Sequence, residues 1–457
     1  MSIKISRVLH AGYLFETVPK IATAVSTKII FDPIFENPFS QNCYAYPNIK
    51  FDLVQISVLK LDAIFISHYH DDHCSLESLH LLNRDIPIYM FCIFEDMFTM
   101  LRELGFKNVF SVVLGQKICI GELEVTARRA LDADVDSIFH VHYSGINILN
   151  VIDSWIDDDT LDMLCKKCSW DMVLWPFQTM REIEVITPRN AIPSTGQIPE
   201  EHCTQLKKIN PNFIVPSACQ FIQEKSSWYR NFYFPISYAN FKMQIENILP
   251  KSKVIRLNPG VSVLLSHLGA EFCESLPFIN PVGQQDLDYA YQPHLKIPHM
   301  HEITKNFRPV TSDEKKLVSI FCEKQMIEKY NSFETSDDEY FNKIKIWKLT
   351  LYDNQGSSTD YFFEIENQKM RRTNETVMNV SWLTEISESK LFSALFEGES
   401  LTTLYLRIND FDFLPEVSDA ICNIDISEDP LIKTIYNGVF GAYQRIQLLN
   451  IKNNNKL

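Results

Sequence analysis

Between His68 and His73 the chain sets three histidines and two aspartates within six positions, His68-Tyr69-His70-Asp71-Asp72-His73. Imidazole nitrogen and carboxylate oxygen are the ligands that zinc, iron and manganese accept, so one or two divalent cations are the chemistry this composition suits. His68 and His70 are two residues apart, and a locally extended backbone points both rings to the same side. Asp72 and His73 follow a bend and approach from another side. The apolar run Ala63 to Ile66 reads as a buried strand feeding the cluster. Ser75 to Leu79 then begins a helical pattern. A strand-to-helix turn is therefore expected to carry the ligands.

The pattern His-x-His-x-Asp-His resembles the signature of the metallo-β-lactamase superfamily. That resemblance implies an α/β fold, the αββα sandwich in which two sheets face each other and helices cover the outside. It also implies His68 and His70 on one metal, with Asp72 and His73 on a second. Asp153, closing the apolar run Leu149 to Ile152, resembles the aspartate that bridges the two metals. His10 with Gly12, and Asp32-Pro33, resemble the opening of the family's chain, which sets His10 near the metals as a substrate contact. Two departures follow. No histidine precedes the hairpin formed by Phe139 to Tyr143 and Ile146 to Ile152; the candidates there are Asp132, Asp134 and Asp136, with Asp134 favoured on spacing. A carboxylate in place of an imidazole hardens the site and favours iron or manganese over zinc. His140 and His142 fall inside the strand and read as packed residues. The late strand Phe213 to Phe221 carries Ser217 and Cys219 where the family has its last histidine, which leaves positions open for substrate, water or dioxygen. Val254 to Leu257 followed by Asn258-Pro259-Gly260 resembles the branch that contains CMP-N-acetylneuraminate hydroxylase, although no cysteine and histidine spacing suits a Rieske centre. The resemblance covers roughly residues 5 to 270.

Positioning these residues takes more than one core. At 457 residues the chain is expected to form two domains. The first, residues 1–277, is the metal-binding catalytic domain; residues 278–309, rich in proline, glutamine and asparagine, read as a linker; residues 310–457 form a C-terminal α+β domain whose pattern resembles a sterol-carrier-type lipid-binding domain. In that domain Pro430 to Leu448 reads as one helix and Asn450 to Leu457 as a disordered tail. On the N-terminal side, Arg7 to Phe15 and Lys28 to Phe31 read as paired strands. A net charge of −15 argues against nucleic acid or an anionic membrane as partner. No apolar run approaches the ~20 residues of a membrane span, and the N-terminus lacks a signal-peptide core. Eleven cysteines without framework spacing suit a reducing compartment, and the cytoplasm is the expectation. The partner is a small-molecule substrate, held through its anionic groups by Arg181 and Arg230 beside aromatic residues; nothing in the pattern specifies an oligomeric state. The expected activity is metal-dependent hydrolysis through an activated water, with Asp72 both ligand and proton acceptor. A non-haem di-iron oxygenase and a non-catalytic metal-binding scaffold are the alternatives.

Overall fold

Ala63–Ile66 is a strand in which every residue is buried, paired in parallel with Lys28–Phe31 on one side and Ile88–Met90 on the other. Parallel central strands are covered on both faces, which is why this one is continuously apolar. In the computed structural model, which describes residues 1–19, 25–132, 135–178, 180–188, 192–333, 340–373, 380–410, 426–437 and 441–454, it belongs to an eight-stranded sheet. From edge to edge the order is Gly269–Cys273, Ser262–Ser266, Ser2–Arg7, Tyr13–Val18, Lys28–Phe31, Ala63–Ile66, Ile88–Met90 and Val109–Ser111. A second, seven-stranded sheet runs Lys253–Val254, Phe213–Ser217, Met172–Pro176, Ile146–Asn150, Ser137–Tyr143, Leu123–Arg129 and Lys117–Ile120. Their inner faces meet through aromatic rings: Phe31 lies 5.1 Å from Phe65 in its own sheet and 5.1 Å from Phe139 in the other. Each such buried ring contributes about 1.5–3 kcal/mol. Helices including Leu76–His80 and Glu95–Glu103 on one side, and Asp158–Lys167 and Glu200–Ile209 on the other, complete the expected αββα layering.

The N-terminal hairpin differs from its sequence pattern. Strands end at Arg7 and resume at Tyr13, and residues 8–12 form a tight turn closed by Val8 N–H to Gly12 O (2.8 Å) and Gly12 N–H to Leu9 O (2.7 Å). Val8, Leu9 and Ala11 are all buried, so their apolarity continues the strand pattern through the turn. Gly12 is required there: a Cβ would stand 2.7 Å from the carbonyl oxygen of Asp32.

Residues 279–292 pack along the first unit, whereas Pro298 O accepts from Arg407 and Phe307 stacks on Tyr405 (5.5 Å) in the second. Ile279–Pro281 pairs antiparallel with Ile49–Phe51, and the Asp288 carboxylate accepts from Tyr238 and Ala239 N–H at the start of helix Tyr238–Ile248. The second unit is built on a five-stranded sheet ordered Lys369–Arg372, Ser358–Glu366, Lys345–Tyr352, Val380–Ser387 and Arg407–Ile408. Buried Asp429 ties it together, accepting from Trp382 Nε1 (2.7 Å) and Thr384 Oγ1 (2.5 Å) while capping helix Pro430–Tyr436. The single helix expected over Pro430 to Leu448 is two helices, the second being Ala442–Asn454. This last helix leaves its own unit to lie on Leu76–His80 and Glu95–Glu103 of the first, and it is helical through Asn454 where a disordered tail is expected. Among the described residues no helix is long and apolar enough to cross a membrane.

Candidate metal centre

The ligand turn leaves the C-terminal end of Ala63–Ile66, on the edge formed by the parallel strands of its mixed sheet, where ligands characteristically bind. Asp32 follows the neighbouring strand, and its N–H bonds Phe65 O, which brings its carboxylate under the turn. Asp32 Oδ1 accepts from Ser67 N–H (2.7 Å), and Oδ2 accepts from Ser67 Oγ (2.7 Å) and lies 3.0 Å from His73 Nδ1. That carboxylate therefore sets the rotation of His73 and presents Nε2 to the centre. Asp153 arrives from the second sheet, past Ile146–Asn150. Ile152 before it has φ of 65°, a left-handed conformation that a β-branched residue rarely adopts. His10, Asp32, Ala218 and Cys219 also have positive φ, at 51°, 40°, 54° and 44°. Strain of this kind costs ~1–3 kcal/mol per residue and gathers at functional sites.

His10, Asp72, His73 and Asp153 bring ligand atoms within 4.8 Å of one another. His73 Nε2 is 2.9 Å from Asp153 Oδ2 and 3.7 Å from Asp72 Oδ2, and His10 Nε2 is 3.1 Å from Asp72 Oδ2. Beside them His68 Nε2 faces His70 Nδ1 at 3.0 Å, and the His68 and His73 rings lie 4.0 Å apart. Two ligands ~2.1 Å from a tetrahedral ion stand ~3.4 Å from each other, so these separations suit a divalent cation. Asp153 Oδ1 is shut off from solvent and has no hydrogen-bond donor among the described residues, an acceptor that a cation would satisfy. Burial pushes the His68 and His70 rings down to about 4, which keeps them neutral and ligand-ready. Burial opposes charge on His73 as well, but the Asp153 and Asp72 carboxylates hold its imidazolium well above the ordinary range. Both carboxylates are in turn held low against the cost of burial, chiefly by His73.

The sequence-derived residues divide as follows. His68, His70, Asp72, His73 and Asp153 come together, and His10 joins them with its imidazole among the potential ligands. Of the three aspartates before the hairpin, Asp134 lies outside the described residues. Asp132 is exposed. Asp136 sets Oδ1 3.7 Å from His68 Nδ1, while Oδ2 accepts from Ser154 Oγ (2.9 Å). Arg181 is paired with Glu184 (2.9 Å) and donates to Ile192 O (2.5 Å), and Arg230 donates to Gln223 O (2.9 Å). His140 bonds Asn147 within the second sheet. Two supporting residues escape the sequence pattern. One is Asp32 in its bonding role. The other is Arg7, which is fully buried and donates to Pro216 O (2.9 Å) and Ala218 O (3.2 Å), so that it fixes the turn bearing Ser217 and Cys219. A basic residue closing a strand gives no local sign of such a role.

Two facing sheets with outer helices, and a His-x-His-x-Asp-His turn at the strand ends, define a metallo-β-lactamase fold. No protein-family profile matches the chain. Over 134 residues it is 28% identical to cytidine monophosphate-N-acetylneuraminic acid hydroxylase from Cricetulus griseus, a stretch covering 28% of this chain and 24% of that protein. The chain thus spans about a quarter of the length of that relative. Among solved structures it is similar to Igni18, a metallo hydrolase from Ignicoccus hospitalis (14% identity, TM-score 0.37, 58% of this chain and 99% of the other). It is also similar to CmlA, a diiron β-hydroxylase from Streptomyces venezuelae (14% identity, TM-score 0.38, 57% of this chain and 54% of the other).

Proposed function

We propose that residues 1–277 form a metal-dependent hydrolase that acts on a small metabolite through a metal-activated water. The observation that carries this reading is the convergence of His10, Asp72, His73 and Asp153 within 4.8 Å beside the His68–His70 pair. In this assignment His68 and His70 hold one cation together with a carboxylate of the 132–136 loop. Asp134 is the choice on spacing, and Asp136 is the one beside His68. Asp72 and His73 would hold a second cation, with His10 supplying the ligand that the Ser217–Cys219 strand end lacks, and Asp153 would serve as a shared carboxylate. Divalent zinc, iron or manganese would lower the pKa of a bound water to ~7 and polarise the bond under attack.

The chain's own groups do the rest. Asp32 keeps the His73 ring in one orientation. Asp72 would be the group that accepts a proton from water bound there. Phe39 and Phe221, 5.9 and 5.6 Å from the His10 ring, wall the site on that side. Arg181 and Arg230 grip an anionic substrate in this reading only by releasing Glu184, Ile192 and Gln223. Carboxylates favour a second reading, a di-iron oxygenase, because Asp136 stands at His68 where a third imidazole would favour zinc; the stretch shared with a hydroxylase agrees with it. Metal analysis of the purified chain together with a dioxygen-uptake assay decides. One or two ions per chain, lost in His73→Ala and Asp153→Ala, are expected. Two irons with oxygen consumption would replace hydrolysis by oxygenation, and no bound metal would overturn both.

A further inference from the structure

Helix Ala442–Asn454 belongs by sequence to the second unit, yet two of its glutamines are buried against the ligand turn of the first, Gln444 at 2% and Gln447 at 3% exposure. Gln444 Nε2 donates to the carbonyl oxygens of Tyr69 (2.7 Å) and Cys74 (2.9 Å). One amide thereby bridges the two ends of the segment carrying His70, Asp72 and His73. Gln447 Oε1 accepts from Leu76 N–H (2.8 Å), the first N–H of helix Leu76–His80, and its Nε2 donates to Ser75 Oγ (3.0 Å). Within the turn, His73 and Cys74 N–H both bond His70 O (3.1 and 2.9 Å), so its shape depends on where these backbone groups are pinned. Among the described residues, the helix's ion pairs with the first unit are exposed, Arg445 with Asp96 (3.2 Å) and Lys452 with Glu103 (2.7 Å). Pairs of that kind contribute little, whereas buried amides bonded to backbone groups specify geometry.

We infer that Gln444 and Gln447 are positioning residues of the metal centre, and that the C-terminal helix is the brace which holds the ligand turn in its metal-binding shape. This rests on the assignment of His68 to His73 as metal ligands. Partners that orient ligands from outside the coordination sphere typically change metal affinity 10–100-fold when removed. Coupling is also reciprocal, so metal on the turn must stabilise the docked helix.

Zinc affinity of the full chain, measured by chelator competition, and the visible spectrum of its cobalt(II) form test the inference in Gln444→Met and Gln447→Met, with Arg445→Ala as control. The expected result is zinc binding at least tenfold weaker and a changed cobalt spectrum in the two glutamine variants, with the control unchanged. A merely structural role would lower the unfolding midpoint but leave zinc affinity of the folded protein intact, and that result would overturn the inference alone. If either variant does not fold, hydrogen exchange on the unaltered chain decides: zinc should slow exchange in peptides from 442–454 several-fold, and equal rates count against the brace. An unaltered chain that binds no zinc, cobalt or iron would remove the metal assignment itself, and the brace with it.

Discussion

Asp32 gathers three polar atoms beneath the candidate site, since both N–H and Oγ of Ser67 and the Nδ1 of His73 meet its carboxylate. Asp32→Ala is expected to weaken metal binding 10–100-fold while the chain stays folded, read by chelator competition; unchanged affinity would mean that His73 is oriented by packing alone. His202 poses a different question. It is buried against Trp155 and Trp175, 3.7 and 5.7 Å between ring centres, and neither ring nitrogen has a hydrogen-bond partner among the described residues. Burial pushes its pKa from 6.5 down to about 3. The unfolded chain therefore binds a proton in that window and the folded one does not, so its stabilising contribution is complete above pH 6.5 and is lost as pH falls towards 3. His140, held near 4 by burial, acts with the same sign. Urea midpoints recorded across that range should decline with acidification, and His202→Phe should flatten the decline; an unaltered slope would show that the ring gains no proton on unfolding.

Elements decide whether those residues meet. The turn over residues 8–12 and the positive φ of His10 carry an imidazole off the end of one strand and onto Asp72, which a continuous strand from Arg7 to Phe15 would prevent. A second close approach seats the last helix. Gly398 has φ of 70°, and a Cβ there would stand 2.6 Å from Tyr443 Cα and 2.7 Å from its N. Gly398→Ala should therefore push the helix off its seat, at a cost of ~1–3 kcal/mol in urea unfolding. A variant as stable as the parent would mean the helix can shift without loss. Gly441, with φ of 64°, precedes the last helix, a punctuation signal that the apolar spacing over Pro430 to Leu448 conceals.

Across the whole molecule, the two units share buried polar contacts rather than a flexible tether. Tyr405 Oη reaches Gln223 (3.0 Å) and Glu224 (2.6 Å), Thr402 Oγ1 donates to Glu182 (3.2 Å), and the Arg407 guanidinium lies 4.8 Å over the Trp228 ring. Separating the units would exchange these contacts for contacts with water, each a net loss of roughly 0.5–1.5 kcal/mol. Calorimetry is accordingly expected to record one transition in which calorimetric and van't Hoff enthalpies agree. Two resolved transitions would show that the units fold independently.

Local spacing made the His68 to His73 cluster legible, together with the strand before it, and the aspartate that ends Leu149 to Ile152 followed from the resemblance. An i, i+2, i+4, i+5 set of ligands is written in one short stretch, and a fully buried parallel strand shows as an unbroken apolar run. The sandwich followed from that motif by resemblance. What brought His10, Asp32 and Asp153 to the same point was the order of strands in two sheets, which no short stretch of chain encodes. Gln444 meets Tyr69 across 375 positions, and its role exists only because the second unit docks on the first. Side-chain amides and buried arginines carry no periodic signature, because their partners are backbone groups that only the folded chain brings within reach.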